Sequence, residues 1–224
     1  AEMTKVFENT FRAVNIALVN ELALLCDKMD ISIWDVVEAA STKPFGYHAF
    51  YPGPGWGGHC IPIDPYYLSW KAKRYNFTTR FIELAGEINT RMTEYVINKT
   101  VAALNNEGKA VKGSKILILG VAYKADVDDM RESPAIPIYQ ELVNRGAIVT
   151  YHDPYVPAFD YRHGDVLVSG VSEPWSAELL SRSDCVLVLT AHKFYDPEFI
   201  VANAGLVVDT RRLVARDLLT VVRA

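Results

Sequence analysis

KILILG, at residues 115–120, is a continuous apolar run that ends in glycine. Such a run is typical of a strand that is buried on both faces of a parallel sheet. After it, apolar runs alternate with helical patterns, with one helix from Ser133-Pro134 through Arg145 and another at about 174–182. Four further strands are predicted, at 147–154, 165–169, 184–190 and 205–209. This alternation predicts a parallel α/β sheet with right-handed crossovers.

Upstream of this sheet the pattern is helical. Residues 2–28 are predicted to form one helix, because apolar residues recur there at three- and four-residue steps. At 1.5 Å per residue this helix would be about 40 Å long, which indicates a connector or an oligomer interface. Further helices are predicted from an N-cap at Ser32 to Ala40, from an N-cap at Asp64 with Pro65 as the first helical residue, and at about 79–106.

The polar, glycine-containing stretch NNEGKAVKGS, at 105–114, separates the two patterns and is the best candidate for a domain boundary. We therefore expect a helical domain at 1–108 and an α/β domain at 109–224. Residue 1 is not Met and already lies inside a helical pattern, so we expect the chain to be a fragment without its N-terminal part.

Composition excludes several classes of protein. The net charge of −4 comes with no basic tract, so a nucleic-acid partner is not expected. No apolar run is long enough to span a membrane. The three cysteines have no CxxC spacing, which favours a reducing, cytoplasmic setting over a disulfide framework or a zinc site. We therefore expect neither a bound metal nor a membrane contact.

Residues 42–63 form a long loop that contains five Gly and four Pro. Loops of this length in compact domains are usually functional or disordered. Aromatic residues argue against disorder and favour a packed loop that lines a ligand site; they are Phe45, Tyr47, Phe50, Tyr51 and Trp56.

Cys60 follows Gly57 and Gly58 in this loop and lies shortly before a predicted helix start, where the helix dipole favours a thiolate. It is a candidate nucleophile, although a lone cysteine can equally be a small buried apolar residue. Asp64, four residues on, could be a catalytic acid or base or simply the helix N-cap.

Five further residues could bind a ligand or be ordinary surface. Lys5 and Asn9 are one helical turn apart and share a face. Lys124 and Arg131 follow the first strand of the sheet, at the strand end where α/β sheets bind ligands. The GxGxxG dinucleotide motif is absent there, and local Asp–Arg pairs would explain the charges equally well. Arg211 lies at another strand end.

Four segments, in order along the chain, resemble the nucleotide-sugar 6-dehydrogenase family, which includes UDP-glucose and UDP-N-acetylhexosamine dehydrogenases. They are AEMTKVFENTFRAVNIALVNELA, YPGPGWGGHCIPIDP, KILILGVAYKADVDDMRESPA and VVDTRR. The GHCIPIDP motif and the KPFG stretch are most similar to the UDP-N-acetylglucosamine 6-dehydrogenase branch. The resemblance implies a helical dimerisation and catalytic domain followed by a Rossmann-like, UDP-binding α/β domain, with an N-terminal NAD-binding domain absent from this chain.

The resemblance also implies roles for individual residues. Cys60 would be the nucleophile in a double oxidation of the sugar C6 alcohol to a carboxylate, with NAD as oxidant, in polysaccharide synthesis. Lys5 and Asn9 would stabilise the developing oxyanion and Asp64 would activate the hydrolytic water. Arg131 would reach the NAD cofactor. The implied UDP-sugar contacts are Ala49, Phe50, Tyr51, Pro52, Gly53, Gly57, Lys124 and Arg211.

Two positions depart from the family pattern. Many UDP-glucose enzymes have Arg where Pro44 stands, which favours a substrate with a bulkier C2 substituent such as N-acetyl. Many members have Lys at the position of Ile63, where it contacts NAD.

Three alternatives stay open: a UDP-glucose 6-dehydrogenase, a non-catalytic UDP-sugar-binding module that forms a homodimer through helix 2–28, and a piece of a 3-hydroxyacid-type dehydrogenase. Cys60 in its Gly-Gly loop argues against the last.

Overall fold

The computed structural model describes residues 2–163, 166–214 and 220–224. The chain forms two compact units, Ala1–Met92 and Thr93–Ala224. The first is helical and the second is built around a parallel sheet, which confirms the predicted fold class. The division lies inside a long helix, so that Val96 and Leu104 of that helix belong to the core of the second unit.

Helices α1 to α4 agree closely with their predicted extents. Their bounds are α1 Glu2–Lys28, α2 Ile33–Ser41, α3 Asp64–Lys73 and α4 Arg80–Asn106. The Ser32 hydroxyl accepts a hydrogen bond from the backbone N–H of Asp35 at 3.4 Å, which confirms the predicted N-cap of α2. Within the described residues, no helix combines the length and apolarity that crossing a membrane requires.

The buried face of α1 is formed by small and amide side chains rather than by its large apolar ones. Asn9, Ala13, Ala17 and Asn20, spaced three or four residues apart, are at most 2% exposed. They allow close approach of the neighbouring helices. The large apolar side chains instead form an exposed stripe that continues one residue past the helix, which we call the α1 stripe: Met3, Phe7, Phe11, Leu18, Leu22, Leu25 and Met29.

The second unit contains a five-stranded parallel sheet with strand order β2-β1-β5-β6-β7. Strand β1 lies between two partners, and its residues 116–119 are completely buried, as expected for the KILILG run. The elements of this unit are β1 Lys115–Leu119, α5 Ala135–Asn144, β2 Ile148–His152, β3 Ala158–His163, β4 Val166–Val171, α6 Ala177–Ser181, β5 Cys185–Val188, α7 Pro197–Asn203, β6 Val207–Asp209 and β7 Val221–Arg223.

Of the predicted strand at 165–169, residue 165 lies outside the described residues, and the prediction that 166–169 belong to the parallel sheet was wrong. Strand β4 pairs antiparallel with β3, and the two form a separate sheet. The physical reason is that β4 has only one buried face: Val168 is buried, whereas Val171, on the other face, is 74% exposed. An antiparallel pair can leave one face in water, while a parallel strand is covered on both. Elements β3, α7 and β7 were not predicted.

Gly120 ends β1 in a conformation that other residues adopt only with strain. Its φ is +79°, and a Cβ atom at this position would lie 2.5 Å from Thr190 Cβ and 2.6 Å from the Thr190 carbonyl oxygen. Gly113 has a similar φ of +85° but no atom within 4 Å of the same point. The two glycines therefore separate backbone strain from steric overlap.

We expect Gly120→Ala to lower the free energy of unfolding by about 2–4 kcal/mol, since it adds steric overlap to positive-φ strain. Gly113→Ala, which adds strain alone, should cost about 1 kcal/mol. Urea denaturation followed by circular dichroism measures both. Equal losses for the two variants would show that the close approach to Thr190 is unimportant.

Candidate functional site

The glycine-rich loop between α2 and α3 is attached to the helices by two buried amides. The backbone N–H of Gly53 donates to Asn20 Oδ1 at 3.0 Å, and Asn20 Nδ2 donates to Asn89 Oδ1 at 2.7 Å. Asn89 Nδ2 in turn donates to the carbonyl of Ala85 at 2.9 Å. Asn20 and Asn89 are at most 1% exposed. Because a buried polar group is costly when unpaired, this chain of bonds fixes the position of the loop relative to α1 and α4.

Aromatic contacts attach the same loop to α1 and α2. Tyr51 stacks on Trp34 with ring centroids 5.6 Å apart, and Phe50 meets the Phe11 ring edge-on at 5.9 Å. Of the predicted sugar-binding residues in this loop, Pro52 and Gly53 are buried, Ala49, Phe50 and Gly57 are half-buried, and Tyr51 is exposed. The loop is thus a packed segment.

Cys60 is exposed, whereas Cys26 and Cys185 are buried. Burial raises the pKa of the Cys185 thiol to about 12, so that this group stays protonated. The Cys60 carbonyl accepts the backbone N–H of Asp64 at 2.8 Å, which closes the turn that leads into α3. The cysteine that the sequence singles out is therefore the exposed one of the three.

The prediction that Asp64 caps α3 was wrong. Ile63 is the N-cap residue and has no capping side chain, and Asp64 lies inside the first turn. Its carboxylate accepts a hydrogen bond from Asn9 Nδ2 at 2.7 Å instead. Since Asn9 is only 1% exposed, it holds one oxygen of Asp64 in a fixed place. The structure thus joins two of the predicted catalytic residues, Asn9 and Asp64, by a hydrogen bond. Asp64 lies four residues after the exposed Cys60.

Lys5 is placed differently from Asn9, although both lie on α1. Its Nζ forms an exposed ion pair with Glu8 at 2.9 Å. The Lys5 hydrogen bond lowers the pKa of Glu8 from its ordinary value. An exposed pair of this kind contributes little to stability, so the ammonium group is free to exchange partners.

The predicted UDP-contacting residues of the second unit lie at strand ends and in the loop after β1. Arg211 follows β6, is half-buried, and donates from Nε to the Leu189 carbonyl at 2.8 Å. Burial lowers the pKa of Arg211 to about 10, which leaves it charged at neutral pH. Lys124 is exposed, with its Nζ 5.5 Å from the centre of the Tyr123 ring.

Arg131, the predicted NAD contact, forms a local pair. Its Nε and Nη2 donate to the two carboxylate oxygens of Asp129 at 2.9 and 2.6 Å. The Asp129 hydrogen bond raises the pKa of Arg131 from an already high value. This is the Asp–Arg pairing that the sequence left open as an alternative.

Sequence reasoning missed the residues that hold the two loops. Asn20 and Asn89 hold the first loop, and Asp153 and His192 hold the loop after β1. The signal for Asn20 was available, because it continues the Asn9, Ala13, Ala17 spacing on one helix face. Among the described residues, no group of three or more His, Cys, Asp or Glu could hold a metal ion.

Comparison with known proteins identifies relatives for both units. Residues 1–91 match the model of the UDP-glucose/GDP-mannose dehydrogenase family, central domain, and residues 117–216 match the UDP binding domain of that family. A UDP-N-acetyl-D-mannosamine dehydrogenase of Methanococcus maripaludis is 39% identical over 197 residues, covering 87% of this chain and 42% of that protein. A protein of the same name from Campylobacter jejuni is 35% identical over 212 residues, covering 93% and 48%.

Solved structures show the same similarity. A UDP-D-ManNAc dehydrogenase from Pyrococcus horikoshii has a TM-score of 0.84 at 30% identity, covering 100% of this chain and 50% of that chain. An NDP-N-acetyl-D-galactosaminuronic acid dehydrogenase from Methanosarcina mazei Go1 has a TM-score of 0.84 at 30% identity, covering 99% and 49%. The chain spans about half the length of the relatives it matches. It belongs to the UDP-glucose/GDP-mannose dehydrogenase family and contains the central and UDP-binding domains of that family.

Proposed function

We propose that the chain supplies the catalytic and substrate-binding residues of an NAD-dependent UDP-sugar 6-dehydrogenase, with Cys60 as the nucleophile. The observation that supports this most strongly is that an exposed thiol is followed, four residues on, by a carboxylate that a buried amide holds in place. A thiol and an oriented carboxylate are the two groups that a thioester route from aldehyde to acid requires.

In this proposal the Cys60 thiolate attacks the C6 aldehyde of the sugar and forms a thiohemiacetal. Bound NAD would supply the hydride acceptor for both oxidations, first of the alcohol and then of the thiohemiacetal, with one hydroxyl proton released to solvent in each. Water then attacks the resulting thioester, and Asp64 takes a proton from that water. The products are the C6 carboxylate and the free thiol, so Cys60 returns to its starting state.

Asn9 and Lys5 have separate parts in this scheme. Asn9 orients the Asp64 carboxylate through the 2.7 Å bond described above. Lys5 leaves its exposed ion pair with Glu8 and donates to the oxygen that becomes negative when the thiolate attacks. We assign the sugar itself to residues 49–53 and Gly57 of the same unit.

The loop after β1 does not fit a dinucleotide diphosphate. The backbone N–H groups of Val121 and Ala122, which would have to bind phosphate there, both donate to the Asp153 carboxylate. We therefore propose that NAD is held mainly by residues outside these 224, with Arg131 reaching it after release from Asp129. No step of the reaction is assigned to a cofactor bound at β1.

We propose a UDP-N-acetylhexosamine as substrate rather than UDP-glucose. Pro44 stands where an arginine is frequent in UDP-glucose enzymes, and the relatives described above are named for N-acetylated sugars. The GHCIPIDP and KPFG motifs favour N-acetylglucosamine, whereas the names of these relatives favour N-acetylmannosamine. Assay of the full-length protein on both, with UDP-glucose alongside, separates the three.

We further propose that the α1 stripe forms a homodimer interface. It places six large apolar side chains along one helix of about 40 Å and a seventh, Met29, directly after it, each at least 40% exposed. A contiguous exposed apolar surface of this kind is typical of an interface.

Cys60→Ser in the full-length protein should lower kcat by about 1000-fold, since an alkoxide is far less available than a thiolate at neutral pH. We expect the product to stop at the aldehyde stage, with one NADH formed per sugar instead of two. NADH absorbance and mass spectrometry measure both quantities. Cys26→Ser is the matched control, and retention of two NADH per sugar by Cys60→Ser would exclude the nucleophile assignment.

UDP should bind the 224-residue chain alone, without redox activity. Lys124→Ala should weaken this binding about tenfold, because it removes one charge that contacts the diphosphate. Isothermal titration calorimetry measures the effect. Lys112→Ala, which removes an exposed lysine before the amino end of β1, should leave the affinity unchanged. Equal effects of the two substitutions would argue against a specific contact by Lys124.

The chain should sediment as a dimer, and Leu22→Glu should convert it to a monomer by placing a charge in the α1 stripe. Arg12→Glu introduces the same carboxylate on another side of α1 and should leave the dimer intact. Analytical ultracentrifugation distinguishes the two states. A wild-type chain that stays monomeric at about 100 μM, well above a typical homodimer Kd, would contradict the interface.

A further inference from the structure

Asp153 lies directly after β2 and is 2% exposed. Its buried carboxylate is surrounded by N–H groups that donate to it. Oδ2 accepts from the backbone N–H of Val121 at 2.8 Å and of Ala122 at 3.1 Å. Oδ1 accepts from the backbone N–H of Tyr155 at 2.9 Å and of Val156 at 3.2 Å. Each oxygen therefore holds one stretch of loop.

His192 provides a further donor to Asp153. Its Nδ1 accepts the backbone N–H of Asp126 at 2.9 Å, so the proton of the neutral ring lies on Nε2. Nε2 is 3.0 Å from Asp153 Oδ2 and donates to it. The ring is completely buried, which keeps both of its bonds away from water.

Burial alone would raise the pKa of Asp153. The bonds from His192, Tyr155 and Val121 outweigh that effect and hold the pKa below its ordinary value. Asp153 is therefore a buried anion whose charge is balanced by N–H dipoles rather than by Lys or Arg, as a bound phosphate or carboxylate would be.

The position of this anion in the fold is informative. Val121 and Ala122 come directly after Gly120, at the carboxyl end of β1, and doubly wound α/β sheets bind the diphosphate of a dinucleotide at such a turn. Ala122 is also held at its carbonyl oxygen, which accepts a hydrogen bond from the Thr190 hydroxyl at 2.7 Å. These bonds, with that of His192 to Asp126, lie on both sides of Lys124 in the sequence.

We infer that Asp153 is a built-in anion, which occupies the phosphate position of the second unit and, with His192, fixes the loop that carries Lys124. It has two consequences. The N–H groups of Val121 and Ala122 are closed to a further anion because both already donate to Asp153, whereas the exposed Lys124 farther along the loop remains available to the UDP diphosphate. The loop is also held in place before any ligand arrives.

The test is chemical rescue in the 224-residue chain. Asp153→Ala should lower the melting temperature by about 5–10 °C, because it leaves buried N–H groups unpaired. Alanine plus formate reproduces the atoms of the missing carboxylate, so about 0.2 M sodium formate should restore at least half of the loss, whereas sodium chloride at the same ionic strength should not.

The matched control is Asp184→Ala. Asp184 also accepts a backbone N–H, that of Lys115 at 2.8 Å, but its side chain is 30% exposed and water can replace it. Formate should have no specific effect on this variant. Equal effects of formate and chloride on Asp153→Ala would overturn the inference, as would a variant that stays unfolded in both salts.

Hydrogen exchange locates the rescue. In Asp153→Ala, the amides of Val121 and Ala122 should exchange at least about tenfold faster than in the wild type, and formate should slow them again. Unchanged exchange at these amides would overturn the inference even if the melting temperature falls. The experiment contains no sugar nucleotide, so its result is separate from the test of UDP binding.

Asp153→Asn gives an independent measurement. The side chain keeps its size, but one oxygen becomes an NH2 group, which must face either Val121, Ala122 and His192 or Tyr155 and Val156. Donor then faces donor in a buried site, so this variant should lose stability and should not respond to formate, because its amide fills the space. A fully stable Asn variant would show that the negative charge is not needed.

Discussion

The loop that carries Cys60 has no regular secondary structure, so its backbone must be held by side chains of the surrounding helices. Asn20 accepts the N–H of Gly53 and is itself bonded to Asn89 on α4. All three groups are buried, and a buried donor without a partner would cost about 1–3 kcal/mol. These polar contacts fix the loop at Gly53, seven residues before the exposed thiol.

The second unit solves the same problem with a charged group. Its loop after β1 is held by Asp153 and His192, which follow the strands on either side of β1. Amide pairs suffice between helices because each amide both donates and accepts. The turn after β1 presents the N–H groups of Val121 and Ala122 side by side, for which a carboxylate, an acceptor at both oxygens, is the better partner.

Regular elements were predictable where a single period governs a long segment. Helices α1 and α4 and strand β1 follow from apolar spacing, and the α2 cap follows from Ser32. The β3–β4 pair was not predictable, since a run such as residues 166–169 is compatible with either kind of sheet. Helix α7 was missed although Asp196-Pro197 is a standard helix start, so that signal was present in the sequence.

The site shows why spacing alone does not rank candidate residues. Lys5 and Asn9 are one turn apart and equivalent by helical periodicity, but Asn9 is 1% exposed and bonded to Asp64, while the Lys5 side chain is 57% exposed and bonded to Glu8. Asp64 likewise had a complete explanation as a helix cap until the structure placed that cap at Ile63. Both distinctions depend on which face of α1 is buried. The spacing of the large apolar residues suggests that their face of α1 is the buried one. The face that is buried in the structure carries small residues instead, because only short side chains let α3 and the loop approach the α1 backbone.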